Sequence, residues 1–311
     1  MAARSDVLAD IALLRQALRR SGNPHLPLLQ LQPWRPVRDA VLDVAAIAAA
    51  LWLALEDAWW LPVAVLVLGN RQRALGNILH DASHRNLARD RRLNDLLTVA
   101  FLAPLLFVDF QRYRELHFRH HLELGSVDAD PDLIPIPAVK ARSWIRAFAV
   151  NVGSWRALSG SLFGHLVEGK VPRRRKAYIV FWWITVCLVL GLASSPHATV
   201  GALAVWLLSR GTTFHAITTF REMCDHHGLA PGGVFAFARD LVAPGPWAWL
   251  IHPRNNAYHL THHLLPAIPY YRLPQAQRLF ASLEPYRDRG HISRAYFAGP
   301  APVVSAWQQN R

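Results

Sequence analysis

The chain has 311 residues, 52% of them hydrophobic, and a formal net charge of +13. A soluble protein this basic is often a nucleic-acid binder, but here the charge is segregated from apolar stretches, which argues against nucleic acid and for a membrane protein whose basic face meets anionic headgroups. Its two cysteines, Cys187 and Cys224, stand far apart, which excludes a disulfide framework and a thiolate metal site.

The chain opens with MAARSDVLADIALLRQALRR, which carries acidic residues and no apolar core. It does not read as a secretory signal, and a short amphipathic helix on the cytoplasmic side is expected instead. Residues 40–55 are apolar except for Asp43, and 58–68 follow after Glu56 and Asp57. Further on, 177–193 carry no charge, and 198–208 follow the turn Ser194, Ser195, Pro196, His197. Each stretch is shorter than the roughly 20 residues a helix needs to cross hydrocarbon, so singly each would also suit the core of a soluble protein. Their pairing into two hairpins, with Trp59, Trp60, Trp182 and Trp183 near the expected interfaces, favours four membrane spans.

Charge sets the orientation. Arg15, Arg19, Arg20, Arg35 and Arg38 precede the first span, Arg85, Arg89, Arg91 and Arg92 follow the second, and Lys170, Arg173, Arg174, Arg175 and Lys176 precede the third. The turns within the hairpins hold no Lys or Arg, so both termini and the central segment are expected in the cytoplasm. The second and fourth spans should continue past the bilayer. From Ala58 to His80 is roughly 33 Å of helix, which carries His80 to the cytoplasmic mouth. Arg71, Arg73 and Arg210 would then snorkel at the interface. Residues 96–108 and 143–166 read as interfacial helices. No repeat or linker interrupts the chain, and a single domain over 1–311 is expected.

Eight of the sixteen histidines fall into three clusters. HDASH holds His80 and His84, HFRHH holds His117, His120 and His121, and HLTHH holds His259, His262 and His263. On a helix, i, i+3 and i+4 side chains share a face, so each cluster can aim its imidazoles at one place. Chance would supply ~0.04 HxxHH patterns in a chain of this histidine content; this one has two. Eight imidazoles exceed what one ion takes, so two ions are the natural reading, and Zn, Cu, Fe or Ni all suit such ligands. Asp81, Glu115, Asp128, Asp130, Asp132 and Asp225 are candidates to hold the outer ring nitrogens; any of them would equally serve as a helix cap or surface charge. A fourth cluster, REMCDHHG, brings Arg221, Asp225, His226 and His227 to the end of the fourth span. The lone histidines, His25, His165, His197, His215, His252 and His291, read as ordinary core or solvated residues.

This pattern resembles the membrane fatty-acid desaturase family, which also includes hydroxylases and ketolases. The resemblance runs from about Asn70 to Leu273. It rests on the order HxxxH, HxxHH, HxxHH, on the run NNAYHLTHHLLPAIPYYRLP, and on Asp130 to Asp132 as AspProAsp. It implies an all-α integral membrane protein, with four transmembrane helices in two hairpins and a helical cytoplasmic cap holding a dimetal site. His80, His84, His117, His120, His121, His259, His262 and His263 would hold two iron ions that activate O2. The family's Arg-x-x-x-Glu-His motif is met from Arg221 to His226 with Asp225 in place of Glu. This implies His226 as a ninth ligand, with His227 the alternative. Asp225 would act in catalysis by hydrogen-bonding a ligand imidazole; the competing reading is an i, i+4 pair with Arg221. Thr261 departs from the Glu or Gln common in the third box, which bears on substrate type. His252-Pro253 lacks the glycines of a fused cytochrome b5, so a separate ferredoxin or cytochrome is expected to supply electrons.

The implied reaction inserts a C=C bond into a fatty acyl chain on a membrane lipid or acyl carrier. A hydroxylase or ketolase on the same scaffold is the alternative. A zinc hydrolase would have little use for so many histidines. A metal transporter or sensor would place them at mid-bilayer, whereas every cluster here lies outside the apolar spans.

Overall fold

The computed structural model describes residues 2–22, 25–133 and 143–308. The described chain is predominantly helical and divides into two compact units. The hairpin unit contains Gln32–Tyr113 and Val152–Thr219; the histidine unit contains the residues up to Leu31, Arg114–Asn151 and the chain from Phe220 onward.

In the hairpin unit, helices Trp34–Glu56 and Leu61–Ser83 are joined at Asp57, where the backbone turns extended and the carboxylate accepts from the Trp59 N–H at 2.9 Å. Arg173–Ala193 and Pro196–Ser209 form the second hairpin. There the Ser195 hydroxyl accepts from the Ala198 N–H at 3.1 Å, and Pro196 occupies the first helical position, where its missing N–H costs nothing. The hairpins interlock through Leu61–Ser83, which packs on Pro196–Ser209 and on the π-helical turn Arg210–Phe214 that follows. Gly69 lies at this crossing, where any Cβ would strike Thr213. Gln72 donates to Ser209 at 3.1 Å across the same contact.

Asp43, the one charge in the first apolar stretch, is buried and accepts from Arg71 at 2.9 Å. Arg71 therefore pairs inside the unit instead of snorkelling. Arg73 and Arg210 are buried as well. The Arg210 guanidinium lies 5.0 Å from the centre of the Phe107 ring and 4.8 Å from that of Phe214, a desolvated setting that suits its weakly hydrated, planar cation. The interfacial tryptophans are also tethered: Trp182 donates to the Ala100 carbonyl at 2.8 Å and Trp183 to that of Pro104 at 2.9 Å.

Around these contacts the hairpin helices turn apolar side chains outward. Val41, Trp52, Val63, Phe181, Leu188 and Val200 are exposed, and Leu192 reaches 89%. Arg173–Ala193 is long and apolar enough to cross a membrane. Arg91–Leu105 and Phe110–Leu122 meet the same criterion only together, across a 96° bend. Residues 96–108 are thus not one interfacial helix. They pass from Arg91–Leu97 through the π-helical turn Thr98–Leu102 to Ala103–Leu105, and end at Phe107 with a positive φ of 59°. Residues 143–166 likewise divide, into Trp144–Val152 and Trp155–Phe163.

The histidine unit is built from shorter pieces. The amphipathic helix expected at the start is present as Ala2–Ser21 and buries Val7, Asp10, Leu14 and Leu18 along one face. Asp10 accepts from the Phe235 N–H at 3.1 Å and pairs with Arg289 at 2.9 Å. Two three-residue strands, Arg239–Leu241 and His291–Ser293, pair in parallel, a small departure from the purely helical expectation. A core of Phe220, Met223, Ile251, Val304 and Trp307 closes the unit.

Candidate metal centre

The third histidine cluster lies on His259–Leu264, a helix of only six residues. So short a helix does not hold itself in water. Its anchor is Asp240, on the strand Arg239–Leu241. This buried carboxylate accepts the Thr261 N–H at 3.0 Å and the Thr261 hydroxyl at 2.6 Å, and it also accepts from the Tyr286 hydroxyl. Burial pushes Asp240 up to about 6. Thr261, the departure from the family pattern, therefore ties the box to the strand. The second cluster lies on Phe110–Leu122.

The two HxxHH motifs distribute their rings in a crossed fashion. His117 and His121, at i, i+4, meet His262 from the other motif, with Nε2 atoms 3.0 Å apart for His121–His117 and 3.2 Å for His262–His121. His259 and His263, also i, i+4, meet His120 and His226, and the four offer ligand atoms all within 4.8 Å of one another. Each motif thus gives its i, i+4 pair to one group and its remaining histidine to the other. The groups abut through the His121 and His263 rings, whose centroids lie 4.1 Å apart. His80 and His84 form an edge-on pair, centroids 5.4 Å apart, at the end of Leu61–Ser83 in the hairpin unit.

In the four-histidine group the outer nitrogens of His120 and His226 fix their tautomers. His120 Nδ1 lies 2.8 Å from Asp130, whose other oxygen accepts the Gly125 N–H at 2.8 Å. His226 Nδ1 lies 2.7 Å from the Phe237 carbonyl, so it must donate. His259 Nδ1 faces Asp225 at 3.4 Å. For His120 and His226, the Nδ1–H directed outward leaves an Nε2 lone pair directed inward. The Nε2 atoms of His226 and His259 stand 2.8 Å apart, and those of His263 and His259 2.9 Å. Four buried imidazoles that bring ring nitrogens this close to one place form a donor set that fits a metal ion.

Electrostatics agree. Burial and the surrounding imidazoles push His259 and His263 well below the usual histidine range, and burial brings His226 to about 4. These rings are neutral, as ligands must be. Burial alone would lower His120 too, but its hydrogen bond with Asp130 and the charge of Asp132 outweigh it and raise His120.

Asp225 lies between the two partners weighed from the sequence. It pairs with Arg221 at 2.7 Å and also faces His259. Burial would raise its pKa, but Arg221 and His252 hold it below the usual carboxylate range. His227 lies outside both groups, its ring centroid 6.3 Å from that of Trp307. His165 and His215 are ordinary core histidines, bonded to Asp109 and to Ser161 and Val152. Sequence reasoning missed the Phe237 carbonyl, Asp240 and His252. A backbone carbonyl leaves no trace in residue identity, and Asp240 and His252 belong to no motif.

Residues 57–295 match the family described as fatty acid desaturase. A dihydrorhizobitoxine desaturase from Bradyrhizobium elkanii is 29% identical over 257 residues, 76% of this chain and 72% of that protein. An sn-1 oleoyl-lipid 12-desaturase from Anabaena variabilis is 32% identical over 106 residues, 34% of this chain and 30% of that protein. A β-carotene ketolase from Haematococcus lacustris is 25% identical over 257 residues, 79% of this chain and 69% of that protein.

Proposed function

The chain belongs to the fatty acid desaturase family, and from that premise we propose that it is an O2-dependent di-iron oxidoreductase that introduces a C=C bond into a fatty acyl chain. The observation that carries this reading is the pair of abutting imidazole groups with outer nitrogens held by Asp130, Asp225 and the Phe237 carbonyl. His120, His226, His259 and His263 are assigned to one iron, and His117, His121 and His262 to the other. His80 and His84 are assigned as further ligands by their place as the first motif. When bound, the irons supply activation of O2 and removal of hydrogen from an unactivated C–H bond. The chain's own part is to gather the imidazoles, with His120 and His226 held in fixed tautomers and most of the rings buried. Asp225 raises the basicity of His259 by accepting from its Nδ1–H.

The outward apolar side chains of the hairpin unit and the arginine-rich flanks support a multi-pass protein with both termini and the histidines on the cytoplasmic side. The basic surface suits an acidic ferredoxin as electron donor, with substrate drawn from membrane lipid or an acidic acyl carrier. The family match runs through segments of both units, which supports reading them as one functional domain. The ketolase similarity favours a second reading, hydroxylation or keto formation on a lipid-like substrate, because both begin with the same C–H cleavage.

Full-length protein purified in detergent should contain close to two irons per chain. With reduced ferredoxin and labelled O2 it should form an alkene without incorporating label. A labelled alcohol or ketone without alkene selects the second reading. One tightly bound zinc per chain overturns both. His226→Ala should release iron while His227→Ala retains it.

A further inference from the structure

His252 differs from the other histidines outside the motifs. It follows the helix Pro246–Ile251, and its side chain is fully buried. Its Nδ1 lies 2.9 Å from the Tyr296 hydroxyl, and its Nε2 faces one oxygen of Asp225 at 3.5 Å. The other oxygen of Asp225 faces His259 Nδ1 at 3.4 Å and Arg221 at 2.7 Å. Tyr296, His252, Asp225 and His259 thus form one buried line that ends on an imidazole of the four-histidine group.

The protons along this line are assignable. Burial and the nearby Cys224 and Asp225 raise Tyr296 far above its ordinary range, so its hydroxyl keeps a proton that it can donate. The Asp225 carboxylate facing His252 Nε2 favours the ring's proton there, which leaves Nδ1 to accept from the Tyr296 hydroxyl. Both imidazoles therefore turn a ring nitrogen toward the carboxylate, one to each oxygen, at 3.5 and 3.4 Å. Arg221 alone would draw the carboxylate back toward its own helix; His252 holds it from the opposite side. Tyr296 is fixed in turn by the chain's last described segment. The Val303 N–H donates to the Ala295 carbonyl at 2.9 Å and the Val304 N–H to that of Tyr296 at 3.4 Å.

We infer that His252 and Tyr296 are positioning residues of the metal centre, holding Asp225 against His259 so that this ring presents its Nε2 lone pair with added basicity. The inference rests on the reading of the four histidines as a metal site. Losing such a partner typically weakens metal affinity by about 10–100-fold.

The test uses full-length protein, stripped of metal and titrated anaerobically with cobalt(II), with affinity and ligand-field bands as readouts. Wild type should bind two equivalents. His252→Ala should weaken one of them by about 10–100-fold with shifted bands and leave the other unchanged. His252→Gln, whose amide can donate from a similar reach, should restore most of that affinity. Tyr296→Phe, which removes one oxygen and keeps the fold's packing, should weaken the same equivalent a few-fold. If wild type binds cobalt and Tyr296→Phe and His252→Gln, His252→Ala all match it, the inference is wrong and the metal site stands. If His252→Ala lowers Tm and weakens both equivalents alike, without rescue by Gln, the residue is only structural and the inference is again wrong. If wild type binds no cobalt, the metal-site reading fails and takes the inference with it.

Discussion

At the scale of single residues, the centre is organised by what stands behind each imidazole. Asp130 is the clearest case, because it meets His120 at 2.8 Å and spends its remaining capacity on the Gly125 and Asp132 N–H groups. Asp130→Asn should keep most of this geometry yet lose the charge, and should loosen iron by about 10–100-fold. Iron retained per chain after dialysis against a graded chelator checks this; full retention would remove Asp130 from the site. Thr261 makes a different point. The sequence marks it as a departure that bears on substrate, but its hydroxyl is 2.6 Å from Asp240. Thr261→Val should therefore cost about 1–3 kcal/mol, the range for leaving a buried acceptor short of a partner. Chemical denaturation in detergent measures it, with product profile unchanged.

At the scale of elements, spacing in the sequence anticipates a good deal. The i, i+3, i+4 pattern of HFRHH and HLTHH is enough to expect shared faces. What it does not reveal is that each motif splits its rings between two groups, since that depends on how Phe110–Leu122 and His259–Leu264 pack. His252 and Asp240 were equally out of reach, because neighbours in sequence say nothing about a partner supplied by a distant strand or helix end. The strands Arg239–Leu241 and His291–Ser293 are too short for any alternation to register. Among the hairpin helices, Asp43 was visible as an anomaly, but its partner Arg71 was read as an interfacial cation. The pair predicts a sign reversal. Asp43→Leu alone should destabilise by about 1–3 kcal/mol, because Arg71 loses its carboxylate and keeps only uncharged partners such as Asn70, whereas the double change to Leu at both positions should recover most of that loss. Thermal unfolding of the three variants decides it; additive losses would show that the two charges act independently.

At the scale of the whole molecule, the helix Ala2–Ser21 has a consequence for biogenesis. Its Asp10 pairs with Arg289 and accepts from the Phe235 N–H, so this helix meets residues that are made long after it. The strand that carries Asp240, which anchors the third motif, likewise waits for His291–Ser293. Every histidine of the proposed centre has emerged by His263, yet Tyr286, Tyr296 and the second strand, which complete its supports, have not. The chain must keep these imidazoles waiting, as free metal-binding side chains, until its C-terminal portion arrives. A version ending at Leu283 retains all nine proposed ligands but lacks Tyr286, Arg289 and the second strand. It should reach the membrane and yet carry little iron, as elemental analysis of the purified product would show. Equal iron in the two forms would mean that the ligands assemble without their late-arriving supports. Metal insertion is thus expected as a post-translational step, timed by the chain's own closure rather than by the appearance of its ligands.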